Sequence, residues 1–318
     1  MLRRLLAAAI LSLAALNCFA QYPSRALRLI VPFPPGGATD VLARVVADEL
    51  SKRLGQPVVV DNRPGAGANL GAQLAARAAP DGYTLLIAPT SIYAIAMTLY
   101  REPGYDLARD FAPVSLVANV PHVLVAHPSL GVHRVEELVA LARAKRNGLS
   151  VASQGTGTVS HLEAEMLQHM AHIELLHVPY KGSAPAMVDL LAGRVHVMFD
   201  SIASALPQIK AGKLVALAVT TPARSPLLPA VPTVAESLLD YRAESMLGIL
   251  VPLRTPFAVI ERLNREVVAI INESKTRQAL IERGFEPRSS SPEDYAERIR
   301  ADIGAWAKIV RASGAIVE

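Results

Sequence analysis

Residues 27–54 read LRLIVPFPPGGATDVLARVVADELSKRL, in which an apolar run passes through a turn of prolines and glycines into a segment of mixed polarity. The run from Leu27 to Phe33 is rich in leucine and β-branched residues, which predicts a buried strand. From Asp40 to Leu54 the apolar residues recur every three or four positions between charged ones, which predicts an amphipathic helix. A strand that leads through a short turn into a helix is typical of an α/β fold.

The turn at residues 33–40, FPPGGATD, has features that suit an anion. Its prolines fix the exit from the strand, and Gly36 and Gly37 permit backbone angles that other residues avoid. Thr39 or Asp40 can cap the helix, while N–H groups at the helix start lack intrahelical partners and lie at the positive end of the helix dipole. An ordinary capped turn has the same features, so this turn alone leaves both interpretations open.

A second turn of this kind, SQGTGTVSH at residues 153–161, falls in the other half of the chain. Its glycines let the backbone approach a ligand, and the hydroxyls of Ser153, Thr156 and Thr158 offer neutral donors and acceptors. It lacks the lysine of a phosphate-binding loop and the spacing of a dinucleotide fingerprint. Two such turns in different halves favour two helix N-termini that face each other across a cleft.

The rest of the chain repeats the alternation of strand and helix. Further strands are predicted at Val58–Asn62, Thr84–Pro89, Val123–His127, Leu149–Ser153, Leu175–Tyr180, Val195–Asp200 and Leu214–Thr220. Further helices are predicted at Asn69–Ala79, Val135–Lys145, His161–Met170, Ala184–Leu191, Ala203–Lys210, Phe257–Asn272 and Pro292–Val310. The chain is expected to cross between two lobes near Val120 and Pro121, and again near Thr220 to Pro222.

Two more strand ends carry candidate ligand groups. In VPYKGSAPA, residues 178–186, Tyr180 can supply a flat apolar wall with a polar tip. In FDS, residues 199–201, Asp200 can accept a hydrogen bond from a ligand ammonium or hydroxyl group, or it can cap the helix that follows. The sequence does not separate these two roles.

The first 20 residues have the three-part layout of a secretory signal peptide. Arg3 and Arg4 precede an apolar stretch, and small residues end at Ala20, where cleavage is predicted. An uncleaved membrane anchor is one alternative, and lipidation of Cys18, the only cysteine, is another. Cleavage removes two of the 32 basic residues and none of the 28 acidic ones, a balance that argues against a nucleic-acid partner.

The residue pattern favours binding over catalysis. Ser160 and His161 are adjacent, so their side chains diverge on a helix, and no Gly-x-Ser-x-Gly elbow supports a nucleophile. The other seven histidines form no metal-ligand spacing with each other or with nearby carboxylates, and neither a metal nor a cofactor is predicted. A periplasmic hydrolase that uses Ser160, His161 and Asp200 is the alternative.

Six stretches carry a resemblance that covers essentially the whole chain after residue 20. They are IVPFPPGGATD from Ile30, VDNRPGAGANLGA from Val60, APDGYTLL from Ala79, SQGTGTVSHLEAE from Ser153, VPYKGSAPAMVDLLAGRV from Val178 and PLLPAVPTVAES from Pro226. On these residues the chain resembles the Bug family of extracytoplasmic solute receptors, which is related to the binding subunit of tripartite tricarboxylate transporters. It departs from the family at Met246 and Leu247 before Gly248, where a tryptophan is usual, and at His196, where an aspartate is usual.

The resemblance implies an α/β fold of the type II periplasmic binding protein class, with two Rossmann-like lobes, a hinge and a ligand cleft. With the predicted crossings, residues 21–120 and 222–318 form lobe 1, and residues 121–221 form lobe 2. The implied ligand is a small carboxylate: a di- or tricarboxylate, an amino acid or an aromatic acid. The binding residues that the resemblance implies are Phe33, Gly37, Ala38, Thr39, Asp40, Thr90 and Ser91 on one lobe, and Ser153, Gly155, Thr156, Gly157, Thr158, Tyr180 and Asp200 on the other.

The same resemblance implies a periplasmic location and capture of the ligand by lobe closure. A membrane transporter is the implied partner, and a membrane-bound sensor is the alternative, because both uses require the same cleft. The protein is predicted to act as a monomer.

Overall fold

The structure is a computed structural model that describes residues 22–145, 148–241, 243 and 245–313. Residues 1–20, the predicted signal peptide, lie outside the described residues. The described strands are β1 Leu27–Val31, β2 Val58–Asn62, β3 Thr84–Pro89, β4 Phe111–Val120, β5 His122–Ala126, β6 Ser150–Ser153, β7 Leu176–Pro179, β8 Val197–Ser201, β9 Val215–Val219, β10 Ser245–Pro252 and β11 Glu286–Pro287.

Most of the described α-helices match predicted ones, but Thr90–Leu99 and Ser274–Glu282, and the strands β4, β10 and β11, are not among the predicted elements. The described α-helices are α1 Ala38–Leu54, α2 Asn69–Ala76, α3 Thr90–Leu99, α4 Val135–Ala144, α5 Val159–Ala171, α6 Ser183–Leu191, α7 Ile202–Lys210, α8 Phe257–Asn272, α9 Ser274–Glu282 and α10 Pro292–Ser313. Within the described ranges, no helix has the length and hydrophobicity that a bilayer span requires.

The strands form two sheets that share one pattern of directions. In the first sheet, of order β11-β4-β10-β3-β1-β2, β1 pairs in parallel with β2 and β3, and β10 runs antiparallel to β3 and β4. In the second sheet, of order β7-β6-β8-β5-β9, β6 pairs in parallel with β7 and β8, and β5 runs antiparallel to β8 and β9. The sheets are therefore mixed, whereas the strand and helix alternation predicts parallel strands alone.

A crossing of the chain delivers β10 to the first sheet and β5 to the second, where each runs antiparallel to both of its neighbours. The short edge strand β11 also pairs antiparallel with β4. β4 ends in the first sheet at Val120, and β5 begins in the second sheet at His122, with only Pro121 between them. The chain leaves the second sheet at Val219 and returns to the first at Ser245. Each sheet is the centre of one lobe, and we call these the first lobe and the second lobe.

The buried apolar side chains form three clusters, one in each lobe and one shared by both lobes. One face of the first sheet packs against α1 and α8, and one face of the second sheet packs against α6 and α7. The third cluster contains Ile30 of β1, Phe199 of β8, and Tyr295 and Trp306 of α10. Because it draws on both sheets and on the C-terminal helix, this cluster is continuous between the lobes.

Candidate ligand-binding site

A cavity between the two lobes, which we call the central cavity, lies where helices of both lobes begin. Its lining residues are Phe33, Pro34, Gly37, Ala38, Thr39, Pro89, Ile92, Val120, His122, Gln154, Val159, Ser183, Ser201, Ser245 and Leu247. Five helices, α1, α3, α5, α6 and α7, begin at or beside these residues. The carboxyl ends of the strands that precede these helices therefore meet at one cleft, as expected for a ligand site in an α/β fold.

Four of these five helices begin without a side-chain cap. The N-cap residues are Gly37 for α1, Pro89 for α3, Thr158 for α5 and Gly182 for α6, and none of their side chains accepts a hydrogen bond from the first turn. The exception is α7, whose N-cap Ser201 accepts one from the backbone of Ser204. First-turn N–H groups have no intrahelical acceptor, so the uncapped helices offer backbone donors and positive dipole ends to the cavity.

The side chains that line the central cavity are neutral hydroxyls, one amide, one imidazole and several apolar groups. Among these described lining residues there is no lysine or arginine. The polar ones include Gln154, Ser183 and Ser245, and the apolar ones include Ile92 and Leu247. Such a lining suits a small organic anion, because backbone donors meet its charge while apolar side chains meet its carbon skeleton.

Asp40 organises the first turn from behind the cavity wall. Its buried carboxylate accepts hydrogen bonds from Gly36 N at 3.0 Å, from Asn62 Nδ2 at 2.9 Å and from the Arg44 guanidinium at 2.9 and 3.0 Å. Burial raises the pKa of Asp40, but the hydrogen bonds from Arg44, Gly36 and Asn62 outweigh burial and hold the pKa below its ordinary value. Asp40 therefore positions the turn and does not line the central cavity.

Two hydroxyl groups of the second turn, those of Ser153 and Thr158, are engaged in hydrogen bonds within the second lobe. Ser153 Oγ lies 2.6 Å from His177 Nε2, and Thr158 Oγ1 donates to the carbonyl oxygen of Gly155 at 2.7 Å. The Gly157 N–H donates to His161 Nδ1 at 3.2 Å. These bonds give the turn its shape, and they leave Gln154 and Val159 as the residues that the turn presents to the central cavity.

Asp200 connects the starts of three second-lobe segments. Its buried carboxylate accepts hydrogen bonds from Gln154 Nε2 at 2.8 Å, Ser183 Oγ at 2.5 Å and Ser201 N at 2.8 Å. Burial raises the pKa of Asp200 above its ordinary value, although its hydrogen bonds, that from Ser183 first, lower the pKa in part. Asp200 thus holds cavity-lining residues in place from behind, and it does not line the central cavity.

Gly155, Thr156 and Tyr180 line a second cavity, which we call the side pocket. Its lining residues are Pro32, Phe33, Gly65, Ala66, Gly67, Ala68, Tyr100, Gln154, Gly155, Thr156, Pro179, Tyr180 and Lys181. It shares Phe33 and Gln154 with the central cavity. The Tyr180 hydroxyl donates to Asp189 Oδ2 at 2.7 Å, so the polar tip that the sequence assigns to the ligand is engaged within the second lobe.

The implied binding residues therefore divide into three groups. Phe33, Gly37, Ala38 and Thr39 line the central cavity, and Gly155, Thr156 and Tyr180 line the side pocket with Phe33. The remaining residues line neither cavity: Asp40, Thr90, Ser91, Ser153, Gly157, Thr158 and Asp200. Which of them contact a ligand stays a prediction.

Several lining residues were not predicted. Ser183 and Ser201 stand at helix starts, and Gln154 lies in the second turn, so the rule that selects Gly37 to Thr39 also finds them. His122 and Ser245 begin the two strands that follow the lobe crossings. No local motif marks these two positions, because it is the crossing of the chain that brings them to the cavity.

The two lobes touch beside the cavities. Tyr100 Oη of the first lobe donates to the Thr156 carbonyl oxygen of the second at 2.9 Å. Gly67 also faces this carbonyl oxygen so closely that a Cβ atom on Gly67 would overlap it. The structure therefore has the lobes closed on each other at this edge.

The three residues of the hydrolase alternative do not form a catalytic chain. Ser160 Oγ accepts from Gln154 N at 2.9 Å, and His161 Nδ1 accepts from Gly157 N. Asp200 is bonded to Gln154, Ser183 and Ser201. Each of the three residues supports the backbone or side chains of the binding turns.

Acid is expected to destabilise the second turn through two stacked histidines. The rings of His161 and His177 lie 4.2 Å apart at 21°, and burial lowers their pKa values to about 3 and about 4. In the unfolded chain these rings bind protons near pH 6.5, whereas in the folded chain they do so only at lower pH. Their contribution to the free energy of unfolding is therefore complete above pH 6.5 and is lost as the pH falls toward 4. We expect a loss of about 1 kcal/mol per pH unit for each ring, reduced for the partly exposed His177.

Urea unfolding between pH 7 and pH 4.5 measures the slope of the unfolding free energy against pH. The double variant His161→Gln with His177→Gln removes both rings and is expected to flatten it. Equal slopes in the double variant and the natural chain would contradict the assignment.

Comparison with known proteins bears on the same architecture. Residues 42–315 match the profile of the family described as tripartite tricarboxylate transporter family receptor, TctC. The chain belongs to this family. Protein BugT of Bordetella pertussis is 38% identical over 296 residues, which cover 92% of this chain and 91% of BugT. The resemblance to Bug receptors is thereby confirmed.

Solved structures of similar proteins have the same fold. A Rhodopseudomonas palustris protein solved with adipate superposes with a TM-score of 0.90 at 38% identity, covering 92% of this chain and 98% of that one. The periplasmic binding protein BugD gives 0.90 at 34%, covering 93% and 100%. MatC of the same Rhodopseudomonas species with bound malate gives 0.87 at 31%, covering 91% and 100%. The predicted two-lobe periplasmic binding protein fold is confirmed, and TctC receptors of this fold are binding proteins.

Proposed function

We propose that this TctC receptor is a periplasmic protein that captures a small carboxylate in the central cavity by closure of its two lobes. The observation that carries the proposal is the convergence of uncapped helix N-termini from both lobes on a cavity whose described lining has no lysine or arginine. The lobes comprise residues 21–120 with 222–318, and residues 121–221. Adipate and malate in structures of similar proteins support the ligand class.

Closure supplies the second half of the binding shell. In the open form the Gly37 to Thr39 turn of the first lobe is available to the carboxylate, and closure brings the Ser183 helix start of the second lobe toward it. As water leaves the cavity, each N–H bond to the carboxylate strengthens because the local dielectric falls. The closed, ligand-loaded receptor then presents one surface made by both lobes to a tripartite transporter.

Thermal unfolding of residues 21–318 against matched ligands tests the proposal. Adipate, succinate and malate are expected to raise the Tm, because a ligand that binds only the folded form stabilises it by mass action. Adipamide and succinamide, which keep the carbon chain but lack the charge, are expected to leave the Tm unchanged. If no carboxylate in the panel raises the Tm, or the diamides raise it equally, the proposal is wrong.

A further inference from the structure

His122 stands at the cavity wall in a role that capture of one carboxylate by backbone amides does not require. It is the first residue of β5, directly after the lobe crossing, and it lines the central cavity with 4% of its surface exposed. Its Nδ1 lies 2.7 Å from Glu163 Oε2 of α5. Its second ring nitrogen, Nε2, has no hydrogen-bond partner within the described part of the protein.

The structure fixes this imidazole from behind. Glu163 is fully buried, and Tyr241 Oη donates to its backbone carbonyl oxygen at 2.9 Å, which anchors that turn of α5. With Nδ1–H directed at a carboxylate, Nε2 is the nitrogen left for a ligand. The ring has the same arrangement as a metal-binding or catalytic histidine held by an acidic partner, but here it faces an organic-anion cavity.

The surroundings favour the charged ring. Burial lowers the pKa of His122, but the negative charge and hydrogen bond of Glu163 and the charge of Asp200 outweigh burial, so the net shift is upward. A protonated ring carries a proton on both nitrogens, so Nε2 becomes a donor while Nδ1 donates to Glu163. Among the described lining residues, His122 is then the one side chain that can bring a positive charge to the ligand.

We propose that His122 is a ligand-contacting residue that binds a second acidic group of the ligand, so that the central cavity selects dicarboxylates over monocarboxylates. This inference rests on the proposed function. The helix N-termini hold one carboxylate, and His122 Nε2–H donates to the other. Glu163 is a positioning residue, which orients the ring and supports its charge.

Calorimetry with adipate and hexanoate tests the inference, because the two acids have the same six-carbon chain and differ by one carboxylate. The natural chain is expected to bind adipate more tightly than hexanoate. His122→Asn is expected to reduce this preference about tenfold or more, the cost of one charged hydrogen bond, while its hexanoate affinity changes little. His122→Gln repeats the test if His122→Asn unfolds, and His127→Asn, directly after the last residue of β5, is the matched control.

A pH series separates contact from packing. The adipate preference of the natural chain is expected to fall as the pH rises through the pKa of His122, and to be flat in His122→Asn. Glu163→Gln keeps the shape but removes the facing charge, so it is expected to shift the fall to lower pH. If His122→Asn loses affinity for adipate and hexanoate equally, or keeps its preference for adipate, the inference is wrong but the proposed function is not. If the natural chain binds neither acid nor any other carboxylate, both the inference and the proposed function are wrong.

Discussion

Replacement of Gly67 by alanine is expected to lower ligand affinity about a hundredfold while the lobes themselves stay folded. Gly67 lies in the first lobe, and a Cβ atom there would overlap the Thr156 carbonyl oxygen of the second lobe and crowd the Tyr100 hydroxyl. The overlap exists only when the lobes are together. Gly67→Ala therefore penalises the closed form specifically, and the apparent affinity falls with the population of that form.

The control for this variant is Gly131→Ala. Gly131 has φ +68 against +59 for Gly67, so an alanine has a similar backbone cost at both positions, yet no atom lies within 4 Å of a Cβ on Gly131. Calorimetry with adipate measures affinity, and small-angle X-ray scattering with and without adipate measures compaction. Gly131→Ala is expected to bind and compact like the natural chain. If Gly67→Ala does the same, closure at this edge is not needed for binding.

Gly248→Ala is expected to destabilise the protein by about 3 kcal/mol, the second large effect. A Cβ on Gly248 of β10 would overlap the ring and hydroxyl of Tyr295 in α10. Tyr295 is fully buried, and its hydroxyl donates to Thr90 Oγ1 at 3.3 Å, so movement of the ring would disturb packed neighbours and this hydrogen bond. The methyl group must displace α10 from the first sheet or force Tyr295 off its rotamer.

Two further variants test the cause of this loss. Gly304→Ala adds the same methyl group to α10 itself, where no atom lies within 4 Å of it, and is expected to be neutral or slightly stabilising. Tyr295→Leu in the Gly248→Ala background is expected to recover part of the stability, because the two sites are in contact and their effects are not additive. Chemical unfolding gives each free energy. Strict additivity would mean that the clash with Tyr295 is not the cause.

Most strands and helices could be predicted from local pattern because the strands are short apolar runs and most of the helices have one polar face. α3 could not, since TSIYAIAMTL has almost no polar face and most of the helix is buried. The antiparallel direction of β5 and β10 could not be predicted for another reason. The direction of β10 is set by its return from the second lobe, and nothing within SMLGILVP shows from which side the chain arrives.

The candidate site was predictable at the level of helix starts but not of side chains. The turn of Gly37 to Thr39 lines the central cavity because strand, turn and helix are consecutive in sequence. Tyr180 and Asp200 sit in equally clear motifs, yet their polar atoms bond to Asp189 and Ser183. The direction of a side chain depends on distant partners, which a single sequence does not reveal.

The absence of a side-chain cap on α1, α5 and α6 bears on which substitutions the central cavity tolerates. A main-chain N–H is present whatever side chain its residue carries, so only a change to proline deletes such a donor. Substitution of wall residues such as Ile92, His122 and Ser245 therefore leaves these backbone donors in place. Under the proposed function, the substrate range can therefore change through wall substitutions alone, with the backbone donors for the carboxylate unchanged.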